Sequence, residues 1–247
     1  MSEKIQKVLA NAGVGSRRQI ETWIREGRIS INGSIATIGD RMTLTDKVRV
    51  DGREIKLIRT QSEKIRILLY YKPEGEICSR SDPENRPTIF DHLPMLRNGR
   101  WVAVGRLDFN TSGLLLLTNH GSLANKLMHP SAELEREYAV RIQGEVTPTM
   151  LKAMRNGVEL EDGIAHVERI EDAGGEGVNH WYNIIVKEGR NRIVRRLFES
   201  QGLNVSRLIR IRFGSVELPR SLKRGQWMEL SKEEALDLAA SAGLADT

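Results

Sequence analysis

The 247-residue chain has one cysteine, Cys78, so it forms no internal disulfide, and one thiol cannot complete a zinc site. Its five histidines, His92, His120, His129, His166 and His180, include no helical i, i+4 pair, and no metal is expected. Cys78 itself reads as a small residue in or near a strand. Long apolar runs are also missing. The longest, Ile67 to Tyr71 and Leu114 to Leu117, fall far below the roughly 18–20 residues of a membrane span. The opening MSEKIQKVLA lacks an apolar core followed by a small-residue cleavage site, so no secretory signal is expected and the expected address is the cytoplasm. There is no Gly-rich phosphate loop ending in Gly-Lys-Ser/Thr, no dinucleotide fingerprint and no Gly-x-Ser-x-Gly elbow. Gly174, Gly175 and Gly177 form a loop without the strand-to-helix context that nucleotide binding requires. Nucleotide hydrolysis loses support, and no cofactor is expected.

What is present is an apolar content of 39%, enough for packed cores, and a net charge of +5 that is unevenly spread. Residues 1–60 hold 12 Lys and Arg against 7 Asp and Glu, residues 187–224 hold 11 against 3, and the rest hold 15 against 23. Two basic blocks separated by an acidic remainder fit a polyanion held at two places, which makes nucleic acid the leading partner.

The first 55 or so residues read as a compact unit. Ile5, Val8 and Leu9 share a helical face, and Gly13 and Gly15 break the chain. Ser16 with Gln19 three residues on forms a capping box for a second helix, whose buried stripe is Ile20, Trp23 and Ile24 and which ends at Gly27. Ile29 and Ile31, then Asn32-Gly33, then Ile35 and Thr37 predict a hairpin, and Val48 and Val50 a further strand. Arg17, Arg18, Arg25 and Arg28 mark the outer face and exit of the second helix. A DNA-binding helix-turn-helix is the rival pattern, and the hairpin argues against it. The unit resembles the small RNA-binding domain shared by a small-subunit ribosomal protein and tyrosyl-tRNA synthetases, which implies backbone binding to structured RNA.

Glu54 to Lys64 is polar and aperiodic and is expected to be a linker, dividing the chain into an RNA-binding domain with linker over 1–60 and a second domain over 61–247. In the second domain, strands are expected at Ile65–Tyr71, Val102–Val104, Leu114–Leu117, Tyr138–Ile142 and Trp181–Val186, and helices at Ser122–Met128, Pro148–Asn156 and Asn191–Gln201. Strands outnumber helices without regular alternation. An α+β fold on a mixed, mostly antiparallel sheet is therefore expected. Ser231 with Glu234 caps a final short helix.

The segment Gly105-Arg106-Leu107-Asp108-Phe109-Asn110-Thr111-Ser112-Gly113 runs directly into Leu114 to Thr118 and joins two buried strands through a polar turn. Loops at strand ends carry functional groups on a rigid scaffold, which places Arg106 and Asp108 well for chemistry. Taken alone, the residues leave Asp108 open between that role and an ordinary turn aspartate bonded to nearby backbone.

The wider pattern, Gly-Arg-Leu-Asp-x-x-Thr-Ser-Gly-Leu-Leu-Leu-Leu-Thr, resembles the signature of RNA pseudouridine synthases of the small ribosomal-subunit branch. Further blocks follow in that family's order: Tyr71-Lys72-Pro73, Asn119-His120-Gly121, Leu127-Met128-His129-Pro130, Glu137-Tyr138, and Glu188 through Arg196. The resemblance spans nearly the whole chain. It departs at His120, where Asp is usual, and at Ile193, often Gln or Glu. It implies isomerisation of a specific uridine in large-subunit ribosomal RNA, or in its assembly intermediates, by base flipping; the ordinary charge and the lack of an evident interface stripe lead to the expectation of a monomer. Asp108 is then the nucleophile, attacking sugar or ring, or a stabiliser of the separated sugar, and Arg195 its ion-pair partner, although taken alone Arg195 would also suit a solvated helix face or a phosphate contact. Tyr138 stacks on the base and helps remove the C5 proton, Arg106 holds the flipped nucleotide's phosphate or fills the vacated stack, and Leu208, with Ile209 competing, lies beneath the base. Arg190, Arg192, Arg196, Arg210 and Arg212 complete the expected phosphate contacts. Arg210 and Arg212 would share a strand face with Leu208 unless a bulge intervenes. A non-catalytic RNA-binding or ribosome-assembly protein is the alternative reading.

Overall fold

A computed structural model describes residues 2–57, 65–80, 82–96, 99–176 and 178–243. By internal contacts the chain divides into two units. One comprises Met1–Ile65 with Pro94–Trp101 and Asn119–Gly121, and the other holds the rest.

The first unit opens with β1 (Glu3–Lys4), α1 (Ile5–Asn11) and α2 (Arg17–Arg25), followed by β2 (Ile29–Ile31), β3 (Ser34–Ile35), β4 (Arg41–Met42), β5 (Val48–Val50) and β6 (Arg53–Ile55). The predicted capping box is formed. Ser16 Oγ accepts from the Gln19 amide at 3.1 Å, and Gln19 Oε1 accepts from the Ser16 amide. Asn32 and Gly33 both take positive φ, as a two-residue hairpin turn requires, and pair β2 with β3. The antiparallel sheet runs β3-β2-β5-β6, and Ile5, Leu9, Ile20, Ile24, Ile29, Met42 and Val48 form a core between it and the helices. Glu54 and Ile55 belong to β6 rather than to the expected linker, most of which lies outside the described residues.

The second unit contains β7 (Ile67–Lys72), β8 (Val102–Ala103), β9 (Ser112–Thr118), α3 (Gly121–Met128, whose first residue groups with the first unit), β10 (Arg136–Gln143), α4 (Pro148–Asn156), β11 (Val158–Leu160), β12 (Gly163–Ala165), β13 (Arg169–Glu176), β14 (Asn179–Val186), α5 (Ile193–Glu199), β15 (Asn204–Phe213), β16 (Val216–Glu217), β17 (Trp227–Glu229) and α6 (Lys232–Ser241). Nine strands form one sheet ordered β13-β14-β10-β15-β9-β7-β17, with β16 on β15 and β8 on β9. Every pair is antiparallel except β15 with β9, so the sheet is mixed and mostly antiparallel. β9 is buried along its whole length, which its run of four leucines matches, whereas β10 alternates buried and half-buried residues. Among the described residues no helix is long and apolar enough to cross a membrane.

The alternation along β15 is interrupted. Against β10, Arg210 pairs with Tyr138 and Arg212 with Glu137, leaving Ile211 as an extra residue. Ser206 is extra between Val205 and Arg207. The first bulge leaves Leu208 and Arg210 on the buried face and turns Arg212 away from it.

Candidate active site

The Gly105–Thr111 loop delivers Asp108 to the start of β9, and four contacts hold its backbone. Lys72, at the end of β7, is fully buried, and its ammonium donates to the carbonyls of Pro73 (2.9 Å), Asp108 (3.1 Å) and Thr111 (2.9 Å). The Gly75 amide donates to the Phe109 carbonyl at 3.0 Å. The Cys78 thiol sits 3.4 Å from both the amide nitrogen and the carbonyl oxygen of Leu107, accepting from one and donating to the other. Arg195, on α5, donates to the Asn110 carbonyl at 2.7 Å and to the Val205 carbonyl of β15 at 2.9 Å. Loop and sheet are thus clamped by two buried cations whose partners are carbonyl oxygens.

Burial weakens the hold of both cations on their protons. For Lys72 this is offset in part by Cys78, Glu76 and Asp108; for Arg195 the charge of Arg192 adds to the burial, and Asp108 partly offsets it. The direct Asp108–Arg195 ion pair expected from the sequence is not formed. The Arg195 donors are taken by carbonyls, its Nε is buried without a partner, and the half-buried Asp108 carboxylate makes no ion pair among the described residues. Arg195 reaches Asp108 through the field of its charge and through the loop backbone.

Across the sheet, Tyr138 pairs with Arg210, Arg210 with Gly113, and Gly113 with Lys72. Residues in one such row point to the same face. The predicted base-stacking tyrosine and the lysine that grips the Asp108 loop therefore share a face, with the buried Arg210 and Gly113 in the row between them. Leu208, two residues before Arg210, lies on that face and is buried, while Ile209 faces the other way. Arg106 is exposed on the loop itself.

The predicted phosphate-binding arginines divide sharply. Arg17, Arg18 and Arg25 are exposed on α2, and their guanidinium groups have no hydrogen-bond or ion-pair partner among the described residues. Arg28 is held by Asp51 at 2.6 Å and Glu26 at 3.1 Å and lies over Trp23. Arg190 and Arg196 both bind Asp162, and Arg190 also caps the Gly163 and Ile164 carbonyls, so these two secure the β11–β12 hairpin. Arg192 pairs with Glu199, and Arg212 with Glu135 and Glu137. Arg210 is a correction to the sequence reading. It is 2% exposed, donates from Nε to the Leu114 carbonyl and lies over Phe213, which removes it from any phosphate. Lys72 was legible only as part of a motif block; the signal for its role was a lysine ending an apolar strand directly before proline.

Residues 66–200 match the RNA pseudouridylate synthase family and residues 3–48 match the S4 domain. The chain belongs to the RNA pseudouridine synthase family, with an S4 domain ahead of the catalytic one. It is 58% identical to ribosomal large subunit pseudouridine synthase B of Haemophilus influenzae, over 98% of this chain and 68% of that one. It is also 58% identical to the protein of the same name from Salmonella typhi, over 93% of this chain and 80% of the other. A solved crystal structure of a pseudouridylate synthase is similar along 95% of this chain and 99% of its own, at 27% identity and a TM-score of 0.66.

Proposed function

We propose that this protein isomerises a uridine of large-subunit ribosomal RNA to pseudouridine, acting as a monomer in the cytoplasm without metal or cofactor, with Asp108 as the nucleophile. In the reaction the glycosidic C1′–N1 bond breaks, the base turns while held, a C5–C1′ bond forms, the C5 proton leaves and N1 gains a proton. Nothing is oxidised or consumed. The target atoms are unreachable in a stacked helix, so the nucleotide must be flipped out, with Tyr138 and Leu208 supplying the flat apolar surface that receives it and Arg106 holding its phosphate.

The observation that carries this reading is the Asp108 loop, gripped on its backbone by Lys72 and Arg195 while its carboxylate stays unpaired. A carboxylate locked in an ion pair is a poor nucleophile. One left free of such a pair, on a loop held rigid by two buried cations, is available to attack. Tyr138, on the face of the sheet that carries Lys72, is suited to help remove the C5 proton.

The test is to incubate the protein, beside Asp108→Asn, with unmodified large-subunit ribosomal RNA and with assembly intermediates, and to map pseudouridine by carbodiimide labelling and primer extension. A new stop with the wild type alone is expected, with RNA affinity nearly equal for the two. RNA binding without any stop on either substrate would leave an RNA-binding assembly protein as the better account.

A further inference from the structure

The segment Pro94–Trp101 lies within the stretch that matches the catalytic family, yet its contacts group it with the N-terminal unit. Two glycines make the approach possible. A Cβ on Gly13 would lie 2.8 Å from the Gly99 carbonyl oxygen, and one on Gly99 would lie 3.2 Å from the Asn11 carbonyl oxygen, both at positive φ where side chains are strained. Trp101, 4% exposed, closes the segment by donating from Nε1 to the Pro94 carbonyl at 2.7 Å. Arg100 is thereby fixed beside the α1–α2 turn, close enough to Arg17 for the two charges to oppose each other.

No carboxylate relieves that repulsion. Arg100 is half-buried, and burial and the charge of Arg17 both act against its protonated form, with no acidic group acting the other way. Neither arginine has a hydrogen-bond or ion-pair partner among the described residues, and the first turn of α2 contains no acidic residue. The contrast within the molecule is informative: Arg28, Arg190, Arg192, Arg196 and Arg212 each have a carboxylate. Guanidinium stays charged at any ordinary pH, so two set together without a counter-charge cost stability that an arriving anion recovers, and the fork geometry of arginine suits phosphate oxygens.

We infer that the RNA-binding surface of the N-terminal unit extends beyond the S4 match to Arg100, which with Arg17 forms a clamp for RNA backbone phosphate. The inference rests on the reading of this chain as an enzyme of ribosomal RNA, and adds a contact residue from a segment that lies outside the S4 match.

The test measures affinity of the full-length protein for an unmodified large-subunit ribosomal RNA transcript by filter binding across a series of KCl concentrations. Arg100→Gln and Arg17→Gln are each expected to weaken binding roughly tenfold and to make the log–log salt dependence shallower by about 0.7–0.9, one phosphate contact's worth. Arg100→Lys keeps the charge and should keep most of the slope. Lys232→Gln, at the exposed start of α6, should bind as wild type does. In pseudouridine formation Arg100→Gln is expected to raise KM roughly tenfold, and Lys232→Gln to leave KM as in the wild type. An unchanged slope in either Gln variant overturns the inference, as does Arg100→Lys losing as much as Arg100→Gln, which would mark a packing role. If Arg100→Gln does not fold, exposed Arg17→Gln reads the same clamp. Wild-type protein that shows these binding effects but forms no pseudouridine would overturn the proposed activity and leave the clamp standing. Pseudouridine formation with no change in slope would do the reverse.

Discussion

Gly113 lies so close to Arg210 that a Cβ there would sit 2.3 Å from the Arg210 carbonyl oxygen and 2.5 Å from its amide nitrogen. This is the point where β9 meets β15 in the sheet's one parallel pairing, two residues beyond the loop that carries Asp108. The glycine of the Thr-Ser-Gly motif is there because the neighbouring backbone leaves no room for a side chain, and its φ of +109° suits no other residue.

Gly113→Ala should therefore lower stability by about 2–4 kcal/mol, since backbone cannot yield as a flexible side chain would, and should lower turnover because the loop is displaced. Gly105→Ala, also at positive φ but with nothing near the added carbon, should cost only about 1 kcal/mol. Thermal melting of the two variants checks this, and equal melting temperatures would contradict it.

Lys72→Met keeps the length of the side chain and removes its three donors. The carbonyls of Pro73, Asp108 and Thr111 then lose their shared partner, and a loss of about 3 kcal/mol is expected. Turnover should fall further than RNA affinity, because the loop loses its anchor while the phosphate-binding surface is untouched. Chemical denaturation with single-turnover kinetics would show both.

Burial pushes the Cys78 thiol above its ordinary range, only partly countered by its bond from the Leu107 amide. Alkylation requires the thiolate. Iodoacetamide at pH 8 should label Cys78 at least tenfold more slowly in the native protein than in urea, as read by mass spectrometry. Equal rates would mean that the Cys78–Leu107 contact does not persist in solution.

The Asp82 carboxyl is held down at about 2 by Arg86, first through its side chain and then through its amide. Because the folded value lies below the unfolded one, the stabilisation is complete above pH 3.8 and disappears as pH falls through 2. The side-chain carbon shift of Asp82 should titrate near pH 2, and a midpoint near 3.8 would rule the contact out.

Features decided by neighbours in sequence were legible from it. Ser16 with Gln19, Ser231 with Glu234, and Asn32-Gly33 each fix a cap or turn within four residues, and all three are formed. The buried strand Leu114–Leu117 and the helix Pro148–Asn156 were readable from apolar patterning. What could not be read depends on residues far apart in the chain. The partners of Lys72 lie up to 39 positions away. Asp162, which occupies Arg190 and Arg196, sits on a hairpin whose short strands carry little signal. The phosphate role expected of Arg210 failed for the same reason: alternation placed it on the face of Leu208, but only the Leu114 carbonyl of the parallel partner β9 shows that its guanidinium is buried and engaged. The Ile211 bulge, which separates Arg212 from that face, has no glycine to announce it.

The parallel seam between β9 and β15 joins residues nearly a hundred positions apart, Ser112 with Ile209 and Gly113 with Arg210. Closing so long a loop carries an entropic cost that local contacts do not, so such pairings form late in folding. On the ribosome, the signature loop emerges well before its partner strand. The nascent chain can build its N-terminal unit and many of its hairpins, yet the Asp108 loop lacks its Arg195 contact and β9 its β15 neighbour until residues 195–213 are out of the exit tunnel. The strand β17 follows later still and pairs Trp227 with Tyr70, so the sheet behind the signature loop is complete only when nearly the whole chain is available.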